Sequence, residues 1–199
     1  TIGIAAAEEA AAILKAAGVI YIDAPVSGGI AGADKATLSV MLACAEADYE
    51  RVKPIMALMG KPFHIGPRPG QGQAVKLLNN YLSGVAQAAS CEAIAFGVKQ
   101  GIPMAKILEV VNVSTGRNTA PGDKFPRRSM NEAYDAGFTA ALQAKDVRLY
   151  LESAKKSEIP SQVASTVVDV WNKFEKDWSG ADITHMYPYT RDGRVPPKK

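Results

Sequence analysis

One segment limits the fold more than any other feature of this sequence. Residues 71–100 contain no proline, and their apolar side chains recur at the three- and four-residue spacing of an amphipathic helix. The pattern predicts a single helix over about 70–100, roughly 45 Å long at 1.5 Å per residue. A helix of this length typically spans a whole domain or runs through a dimer, so we expect the rest of the chain to be organised around it.

Composition narrows the classes of partner. The chain has 199 residues, of which 47% are hydrophobic and 22% charged, so it has enough apolar material for a sizeable core. No apolar run approaches the ~18 uncharged residues that a membrane helix needs. The net charge is only +3 and the basic residues are scattered. We therefore expect neither a membrane nor a nucleic acid as a partner.

The pattern of elements changes near residue 69. Before it, helix-like and strand-like segments alternate, as in α/β proteins. We predict helices over 5–17 and 45–59, and strands over 19–23, 37–43 and 62–65. After it, helices are predicted over about 103–113, 139–157, 161–177 and 180–187, with a loop over 118–138. The sequence therefore predicts a mostly α protein, with a small α/β piece (1–69) and an all-helical domain (70–199).

The cysteines and histidines do not indicate metal chemistry. Cys44 and Cys91 belong to no CxxC pair, and His64 and His185 lack metal-ligand spacing. Buried free thiols in a reducing compartment are favoured over a disulfide. We expect no metal centre.

The first candidate site is Ser27-Gly28-Gly29, directly after a predicted buried strand. Two glycines allow another molecule to approach the backbone closely, and successive amides beside a hydroxyl suit a carboxylate. A tight turn between two strands would have the same sequence. The motif alone leaves both interpretations open.

The second candidate is Lys76, in the second turn of the long helix. Asn80, Ser83 and Gln87 continue its row, so polar side chains share one face of an otherwise apolar helix. A lysine is ordinarily a solvated helix residue. To act as a base, its pKa would have to fall from about 10.4 toward neutrality, which burial and the positive end of a helix can achieve.

The third candidate comprises Phe138 and the adjacent pair Lys145-Asp146, near the start of a predicted helix. Taken alone, the pair is better explained by helix capping and a surface ion pair that contributes little stability.

Three segments together are more specific: DAPVSGGIAGADKATL (23–38), GQGQAVKLLNN (70–80) and AKDVRLYLESA (144–154). In order and spacing they resemble the β-hydroxyacid dehydrogenase family, which includes 3-hydroxyisobutyrate dehydrogenase, tartronate semialdehyde reductase and glyoxylate/succinic semialdehyde reductases. That family is related to 6-phosphogluconate dehydrogenase. Ala36 stands where the family usually has glycine before Thr-Leu, and we expect only a minor packing change from it.

The resemblance implies a role for each matching residue. Lys76 would be the catalytic acid/base. Five residues would bind substrate: Ser27, Gly28, Gly29, Asn80 and Phe138. Three would contact the cofactor or border the site: Thr1, Lys145 and Asp146.

The activity that the resemblance implies is NAD(P)-dependent hydride transfer between nicotinamide and the carbinol carbon of a short 3-hydroxy acid or semialdehyde acid. It also implies that residues 1–69 are the C-terminal remnant of a Rossmann domain and that 70–199 resemble the helical domain of 6-phosphogluconate dehydrogenase. A homodimer or tetramer through the 70–100 helix is expected. The compartment would be the cytoplasm or the mitochondrial matrix.

The family's pyrophosphate-binding motif, G-x-G-x-x-G, does not occur in these 199 residues. We therefore expect a truncated chain, preceded in the full protein by on the order of a hundred residues and inactive alone. The alternative hypothesis is a non-catalytic helical dimerisation module that retains the family's residues.

Overall fold

A computed structural model describes residues 1–194 of the chain. It contains three strands: β1 (Val26–Ser27), β2 (Leu38–Ala43) and β3 (Gly60–Gly66). Its α-helices are α1 (Ile4–Ala16), α2 (Gly29–Asp34), α3 (Glu46–Met56), α4 (Gln71–Lys99), α5 (Met104–Asn112), α6 (Ala140–Lys156), α7 (Gln162–Asp177) and α8 (Met186–Arg191). The predicted class, mostly α with a small α/β piece, is confirmed, and α4 matches the long helix predicted from periodicity.

The residues form two units. The first comprises 1–79 with 152–157, and the second 80–151 with 158–199. The division falls within α4, after Asn79. The proposed partition of the sequence into segments 1–69 and 70–199 remains a prediction.

The first unit contains the sheet, whose strand order is β1-β2-β3. β1 pairs antiparallel with β2, and β2 pairs parallel with β3. Central strand β2 is buried at both ends, and its Val40 and Leu42 pack with Tyr49 of α3. The sheet therefore buries its middle strand as an α/β layer does.

The predicted strand over 19–23 is wrong. Only Asp23 makes a bridge, to Ala43, and Val19 and Ile20 are 51% and 58% exposed. The β-branched residues favour an extended backbone, but no strand of residues 1–194 pairs with this run beyond Asp23.

The second unit has an aromatic core. Trp171 and Phe174 of α7 are fully buried and pack with Tyr187 and Tyr189 of α8. The indole Nε1–H of Trp171 donates to the Gly84 carbonyl of α4 at 3.2 Å. A Cβ on Gly84 would lie 2.7 Å from the Gln143 side-chain nitrogen, so a larger residue here would displace the Gln143 side chain.

Two further predictions differ from the structure. The predicted loop over 118–138 contains a π-helical segment, Ala120–Ser129, which buries Phe125 in the aromatic core. The predicted last helix is instead a 3₁₀ turn, Ile183–His185, followed by α8. The prolines Pro121 and Pro188 suggested that these segments are not helical. Both lie near helix starts, where proline is tolerated.

Both cysteines are buried free thiols, as predicted, and burial raises the pKa of each. Over residues 1–194, every helix is too short or too polar to cross a membrane.

The first turn of α4 is fixed by the buried carboxylate of Asp23, which is 1% exposed. This carboxylate accepts hydrogen bonds from the Gly70 amide at 3.1 Å and the Gln73 amide at 2.9 Å. The Gln73 side-chain amide donates to its other oxygen at 2.8 Å. A carboxylate at a helix N-terminus is stabilised by unpaired amides and the helix dipole. Asp23 therefore sets where α4 begins.

The prediction that Ala36 causes only a minor packing change is wrong. Its φ is +51°, in the left-handed region that glycine adopts without strain. The alanine is exposed, so the difference from the family's glycine is one of backbone conformation rather than packing.

We predict that Ala36→Gly stabilises the chain by about 0.5–1 kcal/mol, because relief of left-handed strain exceeds the added entropy of the unfolded chain. The measurement is the free energy of unfolding in urea. Ala33→Gly, in exposed helix α2, is the matched control and should lower that free energy by up to about 1 kcal/mol. A loss of stability in both variants would contradict the prediction.

We predict that Asp23→Asn lowers the free energy of unfolding by about 1–3 kcal/mol, since an amide cannot accept all three hydrogen bonds. Asp34→Asn, at an exposed carboxylate, should change it by less than about 0.5 kcal/mol. Urea unfolding of both variants is the measurement, and equal effects would show that Asp23 does not fix α4.

Candidate active site

Ser27 ends strand β1 and Gly29 begins helix α2, so the predicted loop is a direct strand-to-helix turn. Gly28 and Gly29 have φ values of +140° and +61°, which side chains rarely adopt. Both glycines are exposed, and the Ser27 hydroxyl accepts a hydrogen bond from the Asn79 side-chain amide at 3.4 Å. The turn thus presents a hydroxyl and exposed backbone to solvent, as a carboxylate site requires.

Lys76 lies in the second turn of α4, three residues after the Asp23-bonded amide of Gln73. It is partly buried and belongs to the same unit as Ser27. The amide hydrogen bonds to Asp23 fix the first turn of α4, and Lys76 follows in the next turn. Lys76 is therefore held on a rigid element rather than on a loop.

Asn80, one helical turn later, is buried in the second unit. Its side-chain amide donates to the Asp146 carboxylate. Its backbone carbonyl accepts a hydrogen bond from the Gln143 side-chain amide at 3.0 Å. The Lys145 ammonium lies 2.9 Å from the other oxygen of Asp146, which is 2% exposed. Three predicted site residues, Asn80, Lys145 and Asp146, therefore form one charge-neutral cluster. The ion pair is not a simple surface pair, because its acid is buried.

Phe138 is partly buried at the edge of the aromatic core. Its amide donates to the Asp182 carboxylate at 3.1 Å, and its carbonyl accepts from Ile183 at 2.9 Å. The contacts of Phe138 are thus with the segment before α8. Thr1 is exposed at the start of the chain, and the next residue, Ile2, donates its amide to the Gln73 side chain at 3.0 Å.

Four polar residues with structural links to this region were absent from the predicted set: Asp23, Asn79, Gln143 and Lys124. Asp23 and Asn79 occur inside the family-like segments, next to residues that were selected. Gln143 and Lys124 lie far along the chain from their α4 partners. Sequence spacing does not reveal such contacts.

The Lys124 ammonium donates to the Ser83 hydroxyl at 3.2 Å. Burial lowers the pKa of Lys124, and Cys91, Asp123 and Asp182 offset this only in part. Ser83 belongs to the polar row that the sequence predicted on α4, so one member of that row contacts a partly buried cation.

Comparison with known proteins gives the chain a family. A family model described as NAD-binding of NADP-dependent 3-hydroxyisobutyrate dehydrogenase matches residues 70–190. A second, described as the NAD binding domain of 6-phosphogluconate dehydrogenase, matches residues 1–67. NAD or NADP is thus the cofactor class of both matching families.

Two curated relatives are dehydrogenases. The chain is 36% identical to 2-(hydroxymethyl)glutarate dehydrogenase of Eubacterium barkeri, over 77% of this chain and 51% of the relative. It is also 36% identical to mitochondrial 3-hydroxyisobutyrate dehydrogenase of Drosophila melanogaster, over 87% of this chain and 56% of the relative. The chain therefore spans about half the length of these relatives.

A solved structure has the same fold. The 3-hydroxyisobutyrate dehydrogenase of Mycobacterium tuberculosis with L-serine superposes with a TM-score of 0.87 at 30% identity, over 95% of this chain and 67% of that one. Because one family model covers more than half of the sequence, the chain belongs to the 3-hydroxyisobutyrate dehydrogenase family of NAD(P)-dependent oxidoreductases, as the resemblance predicted.

Proposed function

We propose that the protein containing this chain transfers hydride between a nicotinamide cofactor and the carbinol carbon of a short 3-hydroxy acid or semialdehyde acid. The observation that carries the proposal is Lys76, which lies one turn after the Asp23-anchored start of α4 in a chain of this family. The Lys76 amine would accept the substrate hydroxyl proton during oxidation and donate it during reduction.

Ser27, Gly28 and Gly29 are proposed to hold the substrate carboxylate. The Ser27 hydroxyl accepts from Asn79, which leaves its own proton available for an anion. The exposed backbone at the two glycines allows close approach. Fixing the carboxylate would orient the carbinol carbon, and orientation of this kind contributes several kcal/mol to catalysis.

Lys76 is proposed to take the hydroxyl proton during oxidation and to return it during reduction. Asn80, fixed by Asp146 and Gln143, is proposed to position substrate, with Phe138 as an apolar contact.

The cofactor, when bound, supplies the hydride-accepting nicotinamide ring. Thr1, Lys145 and Asp146 are proposed to contact it. The donor set fits a nicotinamide nucleoside, because a hydroxyl and an ammonium can hydrogen-bond amide and ribose oxygens. The G-x-G-x-x-G motif does not occur in these 199 residues, so no residue is proposed here for the pyrophosphate. We assign residues 1–69 to the end of a Rossmann domain and 70–199 to the helical domain.

A homodimer or tetramer through α4 is also proposed. Leu82 and Phe96 of this helix are 59% and 67% exposed. Burying such side chains against a second copy would remove them from water. A reducing compartment, the cytoplasm or the mitochondrial matrix, is proposed for the protein.

We predict that Lys76→Met lowers kcat for oxidation of 3-hydroxyisobutyrate by about 10²–10⁴-fold, because the proton acceptor is lost. The assay follows NAD(P)H formation in the protein that carries this chain. Lys99→Met, at the exposed end of the same helix, is the matched control and should retain activity. Turnover preserved in Lys76→Met would remove this lysine from the mechanism and favour the non-catalytic alternative.

We predict that Leu82→Glu with Phe96→Glu converts the oligomer to a monomer, since two charges would be buried in the interface. Light scattering after size exclusion measures the mass. Leu58→Glu, at a 76% exposed leucine outside α4, should leave the mass unchanged. An unaltered protein that is already monomeric would refute the proposed assembly.

A further inference from the structure

The mechanism proposed above does not use Lys124, although its ammonium is partly buried. Lys124 lies in the π-helical segment Ala120–Ser129, a type of helix that often occurs at functional sites. Its recorded hydrogen bond is to the Ser83 hydroxyl at 3.2 Å. Within residues 1–194, no carboxylate forms an ion pair with it at 4.0 Å or less.

Two acids whose charges act on Lys124, Asp123 and Asp182, also bind other groups. Asp123 pairs with Arg127 at 3.0 Å. Asp182 accepts from the amides of Gly137 at 2.8 Å and Phe138 at 3.1 Å with one oxygen, and from the Thr184 amide at 2.9 Å with the other. These hydrogen bonds hold the Asp182 carboxylate in the 137–138 and 182–184 segments. Neither carboxylate forms an ion pair with the Lys124 ammonium within 4.0 Å, and their charges offset its desolvation only in part.

Partial burial of a cation without an ion pair is costly, and desolvation accordingly lowers the pKa of Lys124. A methionine or leucine would fill the same space without that cost. The unused charge is therefore best explained by an anion that the protein binds.

The position of Ser83 indicates where that anion would lie. Ser83 follows Asn80 by three residues on α4, so their Cβ atoms are about 5–6 Å apart on one face. The Asp146 carboxylate beside Asn80 is neutralised by Lys145 at 2.9 Å and does not repel a second anion as a free carboxylate would. An anionic group near Lys124 would thus be within a few bonds of a substrate held by Asn80.

We propose that Lys124, supported by Ser83, binds a second carboxylate of the substrate, so that the preferred substrate is a dicarboxylic 3-hydroxy acid. This inference rests on the proposed function and deepens it. The reacting end of the substrate would be near Asn80, and the remote carboxylate would form a charge-assisted hydrogen bond with the ammonium. A phosphate of the cofactor could use the same cation, and the experiment separates these two sources.

The test compares two substrates in the protein that carries this chain, with NAD(P). 2-(Hydroxymethyl)glutarate has a terminal carboxylate, and 2-(hydroxymethyl)pentanoate has a methyl group in its place. We expect kcat/KM to favour the diacid, and Lys124→Met to lower kcat/KM for the diacid alone by about 10–100-fold. The monoacid should change by less than threefold, about the scatter expected for a lost non-contacting charge.

Two further variants keep the result interpretable. Lys124→Gln can still donate to Ser83 but has no charge, so it should lose the preference for the diacid as fully as methionine does. Lys124→Arg retains the charge and should keep part of that preference. Thermal unfolding of each variant verifies the fold.

Each other outcome counts against the inference. An equal fall for both substrates would assign Lys124 a structural role, and a raised KM for the cofactor alone would assign its anion to the cofactor. Turnover of the monoacid without preference for the diacid would overturn this inference and leave the proposed function intact. Absence of turnover with either acid and with 3-hydroxyisobutyrate in the unaltered protein would remove both.

Discussion

The carboxylate of Asp23 accepts hydrogen bonds from the amides that begin α4, and the geometry of the first unit depends on this contact. A helix N-terminus has unpaired amides, and a buried carboxylate has unpaired oxygens, so each satisfies the other away from water. The consequence is positional. Lys76 lies three residues after Gln73, and its height along the helix axis follows from where Asp23 fixes that amide.

Helix α4 also explains why the polar residues of this chain occur in a row. Lys76, Asn80, Ser83 and Gln87 follow one face, and each of the last three has a buried or partly buried environment in the second unit. Asn80 contacts Asp146, Ser83 contacts Lys124, and Gln87 donates to the Ile183 carbonyl at 3.5 Å. These polar side chains therefore have polar partners on other elements, whereas the polar face of an ordinary amphipathic helix contacts only water.

The core of the second unit holds these partners in place. The Trp171 indole reaches the Gly84 carbonyl, and Gln143 packs where a side chain on Gly84 would be. Gln143 in turn donates to the carbonyl of Asn80. The packing around Gly84 is therefore linked to the position of Asn80, a candidate substrate-binding residue. In the sequence, Gly84 is visible only as a gap in the helical periodicity.

Most helices could be predicted because their signals are local. The proline-free periodicity of 71–100 predicted α4 within one residue at each end, and the helices predicted over 139–157 and 161–177 match α6 and α7 equally closely. The errors arose where partners decide the structure. Residues 19–23 have strand composition but little to pair with, and the segment around Lys124 has Pro121 at its start and Pro126 inside it, which suggested a loop.

By itself, the sequence determined the long helix, the mostly α class and the family, because periodicity and ordered motifs are properties of neighbouring residues. It also placed Ser27, Lys76 and Asn80 as candidates. Only the tertiary structure decided that Asp23 anchors α4, that Asp146 is buried against Asn80, and that Lys124 lies beside Ser83. These contacts join residues 41 to 66 positions apart, and packing, rather than local spacing, brings such residues together.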